Sequence, residues 1–137
     1  MSRKLIYITR REYFSASHIL ENNKLNKKVN KNLFGQCNDI HGHNYYIEVT
    51  VCGEQNPESG YVIDLKIVKK IIREEILNKV DHKLLNDLKI FKNIIPTAEN
   101  IAMKFWEILE PKFKTKKTRL YSVKIYETEK NIAEFRG

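Results

Sequence analysis

Alternation of apolar and polar residues is the feature that most narrows what this chain can fold into. Side chains of one parity point to the same face of a β-strand, so a half-buried strand shows an apolar residue at every second position. This pattern occurs in residues 4–17, 44–52 and 118–127, and a short strand is also predicted for residues 132–135. Four strands are therefore expected, one pair near each end of the sequence.

Two helices are predicted between the two pairs of strands. Asp64 is placed to cap the first helix, which is expected to run to about Val80. Its apolar residues recur at the spacing of one helical face, and they are Ile67, Val68, Ile71, Ile72 and Ile76. Pro96-Thr97 begins the second helix, and Pro111 is expected to end it because proline disrupts a helix interior.

These elements follow the order β-β-α-α-β-β, which predicts an α+β fold in a single domain over residues 1–137. Strands in adjacent pairs favour hairpins, so we expect a four-stranded antiparallel sheet with both helices on one face. The stretch 21–36 is rich in Asn and Lys and is predicted to be a loop. Such a sheet has two unpaired edges, which a homo-oligomer that joins them would protect.

Composition narrows the class of protein and of ligand. No apolar run approaches the ~20 residues of a membrane helix, and the charged N-terminal stretch is unlike a signal peptide. With two cysteines a disulfide scaffold is not expected, so a cytoplasmic location is favoured.

The net charge is +8, with basic residues concentrated at 24–31 and 112–119. These are either solvated loops or a surface for a polyanion. No aromatic residues interleave the lysines, so a small phosphorylated ligand is favoured over nucleic acid.

Three of the four histidines are expected to converge. His41 and His43 are two residues apart, so on an extended segment their side chains point the same way. His18 ends the first strand, and in a hairpin that end meets the start of the next strand. Three imidazoles with an open fourth position are typical of a catalytic zinc site. The alternatives are a loop pair without a metal, or a structural Cys/His zinc site that includes Cys37.

Four further polar residues are candidates for chemistry. The Cys37 thiol, near a dication and a lysine-rich loop, can ionise and act as a base or nucleophile, although a lone cysteine is more often inert. Asp81 can hold one tautomer of the His82 ring in a proton relay, although a histidine after a helix is often only a cap. Glu127 shares the parity of the apolar residues in the third predicted strand, where an unpaired carboxylate is costly. A ring with two adjacent N–H donors, such as a 2-amino-4-oxopyrimidine, would suit it, and contact with water is the alternative.

These residues together resemble the 6-pyruvoyl-tetrahydropterin synthase / 6-carboxytetrahydropterin synthase family. The matching stretches keep the family's order and cover most of the chain. They are FSASH (14–18), FGQCNDIHGHNY (34–45), ESGYVIDL (58–65), DHKLLN (81–86), PTAEN (96–100) and YETEKN (126–131). The resemblance implies the tunnelling fold, in which three subunits close a barrel, two trimers stack as a hexamer and active sites lie between subunits.

The resemblance also assigns a role to each candidate residue. The implied zinc ligands are His18, His41 and His43, the general base is Cys37, and the proton relay is Asp81 with His82. The implied pterin-binding residues are Glu127, which anchors the ring, and the helix start formed by Thr97, Ala98 and Glu99.

The implied reaction is a zinc-dependent elimination of triphosphate from 7,8-dihydroneopterin triphosphate, which gives 6-pyruvoyl-tetrahydropterin for tetrahydrobiopterin synthesis. The alternative product is 6-carboxy-5,6,7,8-tetrahydropterin, used for queuosine and other deazapurines. The short spacing from Cys37 to His41 is like that of carboxy-type members, whereas FSASH, LFGQCN and YETEKN are closer to the pyruvoyl type. The residues alone also leave open a zinc-stabilised basic binding module, and a zinc hydrolase that uses Glu127 or Cys37.

Overall fold

A computed structural model of the protein describes residues 4–137. The strands are β1 (Leu5–His18), β2 (His41–Glu54), β3 (Lys83–Leu84), β4 (Thr118–Tyr126) and β5 (Ile132–Phe135). The helices are α1 (Lys27–Phe34), α2 (Leu65–Ile72), α3 (Asn78–Val80) and α4 (Ala98–Phe113). A 3₁₀ turn, Gly35–Asn38, follows α1, and a π-helical turn, Arg73–Leu77, joins α2 to α3. Within the described range, no helix has both the length and the apolar character needed to cross a bilayer.

The sheet has five strands in the order β3-β1-β2-β4-β5. β1 and β2 pair antiparallel along their whole length, and β4 and β5 continue the antiparallel pattern. β3 instead runs parallel to β1, with Ala16 opposite Lys83. The prediction of a four-stranded antiparallel sheet is therefore wrong, because the sheet has a fifth strand and that strand, β3, is parallel to its neighbour. Two residues are too few to show an alternation, so only long-range pairing reveals β3.

One face of the sheet carries the core, as the alternation predicted. The buried residues of β1 and β2 on this face include Phe14, Ala16, Tyr45, Ile47 and Val49. They form one hydrophobic cluster with buried residues of α2 and α4, so both helices cover the same face.

A β-bulge changes the parity of β4. The register shifts between Thr50 and Val51 of β2, so that Leu120 is buried and Tyr121 is only half-buried. Tyr121 has the same parity as Val123 and Ile125 in the sequence, but the bulge keeps it from sharing their burial. Beyond the bulge the parity is as predicted, because Val123 and Ile125 are fully buried. Glu127, two residues further on, is directed toward the helix-covered face.

Side-chain caps begin the two long helical segments where the sequence predicted them. Asp64 accepts a hydrogen bond from the Lys66 N–H at 2.9 Å, and Thr97 accepts one from the Asn100 N–H at 3.2 Å. Pro111, however, does not end α4, which continues to the buried Phe113. Proline is tolerated here because it lies in the last turn, where the carbonyl that loses its N–H partner belongs to an exposed residue, Glu107.

The predicted loop at 21–36 contains a helix, α1, so this prediction is wrong. Asn26 caps α1 by accepting a hydrogen bond from the Val29 N–H at 2.9 Å. The buried residue of α1 is Asn30, which is polar, while Val29 and Leu33 are 41% and 62% exposed. Without a buried apolar face, the helix leaves no clear periodic signal in the sequence.

Candidate active site

The antiparallel register of β1 and β2 brings three histidines together at one end of the sheet. His18 lies directly opposite His41, and His43 follows two residues along the same face. The ring centroids of His18 and His41 are 4.4 Å apart, and the other two pairs are separated by 5.0 Å and 5.1 Å. One ring nitrogen of each residue lies within 4.8 Å of the other two. The convergence predicted from the hairpin is therefore present, and we call these three residues the histidine cluster.

Backbone carbonyls fix which ring nitrogens face the centre of this cluster. His18 Nδ1 donates to the Pro96 carbonyl at 2.8 Å, and His41 Nδ1 donates to the Asp39 carbonyl at 2.7 Å. A carbonyl oxygen can only accept, so the proton of each neutral ring sits on Nδ1. The lone pair of each Nε2 is then free for another partner.

The histidine cluster has the chemistry of a metal site. His18 Nε2 and His43 Nε2 are buried without a hydrogen-bond partner among the described residues, which is costly unless something else binds them. Burial lowers the pKa of His18 and of His43 below the ordinary value of 6.5, so both rings stay neutral near pH 7. Neutral imidazole is the form that binds metals, so this cluster can hold a metal ion with three nitrogen ligands.

Glu127 lies beside the histidine cluster. Its Oε1 is 4.0 Å from His43 Nε2, and its side chain is 22% exposed. The Glu127 N–H donates to the Asn131 carbonyl at 3.0 Å, which closes the turn after β4. Glu127 also borders a cavity of about 770 Å³ whose wall includes Thr97, Ala98 and Glu99. The structure thus brings together the four residues that the resemblance assigns to the pterin ring.

The sequence did not predict two neighbours of His18. Tyr45 is fully buried and stacked on Phe14, with ring centroids 4.8 Å apart, and its hydroxyl lies 3.3 Å from His18 Nδ1. Burial raises the pKa of Tyr45, so the phenol remains neutral. Tyr45 belongs to the HGHNY stretch, which was the available signal. The carbonyl of Pro96 could not be predicted as a partner, because every residue has a backbone carbonyl.

Cys37 lies on the 3₁₀ turn that precedes β2, and its side chain is exposed. Its carbonyl accepts the Leu20 N–H at 2.9 Å, which ties the turn to the segment just after His18. Among residues 4–137 the group of converging metal-binding atoms consists of the three histidines without Cys37. This arrangement does not favour the structural Cys/His zinc site that the sequence left open.

Asp81 and His82 form a pair that is fastened to β1. Asp81 Oδ1 is 3.1 Å from His82 Nδ1 and also accepts the Ser15 N–H at 2.9 Å, while the His82 N–H donates to the Ser15 carbonyl at 2.6 Å. The hydrogen bond from the Ser15 N–H is the main cause that lowers the pKa of Asp81, and the nearby His82 ring lowers it further. His82 adopts a left-handed φ of 61°, which is uncommon for a residue with a side chain.

The His82 ring is accessible but not joined to the other candidates within one chain. Its side chain is 81% exposed, and it borders a cavity of about 430 Å³ that also reaches His43. Among residues 4–137, no hydrogen bond or ion pair connects Asp81 or His82 to Cys37 or to the histidine cluster. The fold therefore assembles the pair but leaves its ring open to a further partner.

Comparison with known proteins places this arrangement in a family. A family model described as 6-pyruvoyl tetrahydropterin synthase matches residues 7–137. The chain is 42% identical to 6-pyruvoyl tetrahydrobiopterin synthase of Dictyostelium discoideum, with 100% of this chain and 99% of the relative covered. It is 30% identical to 6-carboxy-5,6,7,8-tetrahydropterin synthase of Rickettsia typhi, with 95% and 99% covered.

A solved structure agrees with the sequence comparisons. The fold superimposes on the 6-pyruvoyl tetrahydropterin synthase of Caenorhabditis elegans with a TM-score of 0.91 and 38% sequence identity, over 100% of this chain and 99% of that one. The likeness therefore extends over the strands and helices that carry the histidine cluster and Glu127. The chain belongs to the 6-pyruvoyl tetrahydropterin synthase family.

Proposed function

We propose that this chain is a zinc-dependent lyase that converts 7,8-dihydroneopterin triphosphate to 6-pyruvoyl-tetrahydropterin with loss of triphosphate. The observation that carries the proposal is the histidine cluster: His18 Nε2 and His43 Nε2 are buried without a hydrogen-bond partner among residues 4–137, and His43 Nε2 lies 4.0 Å from Glu127 Oε1. The 42% identity to a relative named 6-pyruvoyl tetrahydrobiopterin synthase, over the whole chain, supports the pyruvoyl product.

The metal we propose is zinc, held by His18, His41 and His43. Three imidazole ligands that leave the fourth coordination position open suit a catalytic zinc ion. When bound there, zinc supplies a Lewis acid next to the oxygen atoms of the substrate side chain. The carbonyls of Pro96 and Asp39 orient two of the three rings before the metal arrives.

Glu127 and the start of α4 would hold the pterin ring. A carboxylate can accept from the ring N–H and from the neighbouring exocyclic amine at once, and such charge-assisted bonds are stronger than neutral ones. Thr97, Ala98 and Glu99 border the same cavity as Glu127. The first N–H groups of a helix have no intrahelical partner, so the start of α4 can donate to the acceptor atoms of the ring.

Proton transfer would fall to Cys37 and to the Asp81–His82 pair. In its thiolate form Cys37 can remove a proton from a substrate carbon. Asp81, kept ionised by the Ser15 N–H, holds the proton of His82 on Nδ1, so His82 Nε2 is the atom that exchanges protons. The open position of the His82 ring fits a relay that is completed when substrate and a second subunit are present.

Assembly completes the proposal. We propose a single-domain cytoplasmic enzyme that works as a homotrimer or a dimer of trimers, with active sites between subunits. β3 covers β1 only at its C-terminal end, so most of that long edge is free to pair with another chain. The exposed lysines at 24–31 and 112–119 would attract the triphosphate of the substrate.

The second candidate has the same fold and metal but makes the 6-carboxy product. The observation that favours it is the 30% identity to the Rickettsia typhi relative named 6-carboxy-5,6,7,8-tetrahydropterin synthase. Incubation of zinc-loaded protein with 7,8-dihydroneopterin triphosphate tests both candidates. A pterin product that keeps all three side-chain carbons would support the first, and one that keeps a single side-chain carbon would support the second. A basic binding module would instead show no turnover and a salt-sensitive affinity for nucleic acid.

A further inference from the structure

His18 lies at the end of a strand. It is the last residue of β1, and its partner His41 is the first residue of β2, so the ladder between the two strands ends at this pair. Strand ends fray more easily than strand centres. A metal-binding ring at such a position needs other contacts to keep its orientation. Two asparagines to which the proposed reaction assigns no role, Asn86 and Asn100, bond the main chain beside His18 and beside Pro96, the acceptor of its ring proton.

Asn86 fixes the main chain immediately after His18. Its Oδ1 accepts the Ile19 N–H at 2.8 Å, and its Nδ2 donates to the Ile19 carbonyl at 2.8 Å. The side-chain amide thus takes the place of one more strand residue beside β1, beyond the point where β3 ends at Leu84. Both the donor and the acceptor of the residue next to His18 are satisfied by this one side chain.

Asn100 fixes the carbonyl that orients the His18 ring. Its Nδ2 donates to the Ile95 carbonyl at 2.8 Å, and its N–H donates to Thr97 Oγ1 at 3.2 Å. These bonds bracket Pro96, whose carbonyl accepts from His18 Nδ1 at 2.8 Å. A shift of the Ile95–Thr97 segment would therefore turn or release the ring.

We infer that Asn86 and Asn100 are positioning residues of the metal centre: Asn86 holds the backbone of His18, and Asn100 holds the acceptor of its ring proton. The inference rests on the proposed metal binding by the histidine cluster and concerns only how tightly the metal is held. Neither asparagine touches the metal-facing Nε2 atoms, so each acts through His18. Partners of this kind orient a ligand before the metal arrives, and their loss typically weakens metal affinity about 10- to 100-fold.

The test compares Zn²⁺ affinity in the full-length protein. Wild type, Asn86→Ala and Asn100→Ala are stripped of metal, and the Kd for Zn²⁺ is measured by competition with a chromogenic chelator. We expect the Kd to rise by about 10-fold or more in each variant. Asn86→Asp keeps the acceptor for the Ile19 N–H but turns a second oxygen toward the Ile19 carbonyl, so its Kd should also rise. In the Co²⁺-substituted protein, the visible absorption of the bound ion should change in the same variants.

Asn30→Ala is the matched control for simple loss of stability. Asn30 is 7% exposed, and its amide bonds the main chain of Asn22, Leu25 and Asn26 around the start of α1. Its loss should lower the free energy of unfolding without changing the Kd for Zn²⁺. If the wild type binds Zn²⁺ and the folded Asn86 and Asn100 variants bind it equally well, the inference is overturned and the proposed function stands. If the wild type does not bind Zn²⁺, both are overturned.

Discussion

His18 and His41 face each other across the β1–β2 pair, and their ring centroids are 4.4 Å apart. This relationship depends on the register of two strands that pair over fourteen positions each. A slip of one residue would turn every side chain of one strand to the other face and would separate the two rings. The convergence of His18 with His41 and His43 is therefore a consequence of the hydrophobic alternation that sets the register.

Replacing His41 with Ala should remove zinc, whereas replacing Cys37 with Ala should leave it bound. His41 supplies one of the three converging nitrogens, and Cys37 lies outside that group. The measurement is zinc content per subunit by atomic emission after gel filtration. If Cys37→Ala also strips the metal, the thiol is a ligand, the site is structural and the proposed enzyme is wrong.

Replacing Glu127 with Gln should weaken pterin binding without affecting zinc. The amide keeps the shape of the carboxylate, but its NH₂ group must face a ring donor, so one or two charge-assisted hydrogen bonds of about 1.5–3 kcal/mol each are lost. We expect kcat/KM to fall by at least ~10². Pterin affinity is measured by fluorescence on zinc-loaded protein.

Glu129→Gln is the control for the Glu127 experiment. Glu129 is an exposed residue of the neighbouring turn and is not among the residues that line the cavity beside Glu127. Its replacement should leave pterin affinity, zinc content and kcat/KM as in the wild type. Equal pterin affinities for wild type and Glu127→Gln would mean that the ring is held elsewhere in the protein.

The metal-free protein should lose stability as the pH falls below about 6.5. Burial lowers the pKa of His18 and His43 in the folded chain, while in the unfolded chain both return to the ordinary value of 6.5. Between the lowered pKa values of the folded chain and 6.5, the unfolded state binds more protons than the folded state. The free energy of unfolding therefore decreases as the pH falls through this range. Carboxylates remain ionised above pH 5 for the most part, so the window from pH 8 to pH 5 isolates the histidines.

Urea unfolding at several pH values in that window measures this effect. His18→Phe should show a smaller dependence, since it removes the fully buried one of the two rings whose pKa is lowered. A free energy of unfolding that does not change between pH 8 and pH 5 would contradict the burial of these imidazoles.

The subunits should associate at micromolar concentration. Leu5, Ile6 and Tyr7 are 39%, 40% and 49% exposed along the part of β1 that β3 does not cover, which leaves an apolar edge free to pair. Sedimentation velocity should show a trimer or a hexamer, and activity should follow the assembled fraction. A stable monomer with full activity would exclude active sites between subunits.

Local signals were sufficient for most of the secondary structure and for the histidine cluster. The bounds of β5 match the prediction, β1 is shifted by one residue, and β4 ends one residue earlier than predicted. Asp64 caps its helix as expected, and the second helix begins after Thr97, where its start was predicted. These features depend on alternation and capping, which operate over a few residues. The convergence of His18 with His41 needed only one further assumption, that the first two strands form an antiparallel pair.

Features that depend on contacts between distant parts of the chain could not be predicted from local sequence patterns. α1 buries Asn30 rather than an apolar stripe, and the two residues of β3 exist only because they pair with β1. The bulge at Tyr121 depends on β2 as well as on β4. Asn86 and Asn100 bond main-chain groups that any sequence would present, so their partners emerge only when the chain is folded.

Product analysis by mass spectrometry tests the central claim most directly. Zinc-loaded protein is incubated with 7,8-dihydroneopterin triphosphate, and the pterin and phosphate products are identified, with His41→Ala as the metal-free control. Our account predicts 6-pyruvoyl-tetrahydropterin and one equivalent of inorganic triphosphate from the wild type, and no turnover from the variant. Formation of 6-carboxy-5,6,7,8-tetrahydropterin instead, or an unchanged substrate with zinc bound, would contradict it.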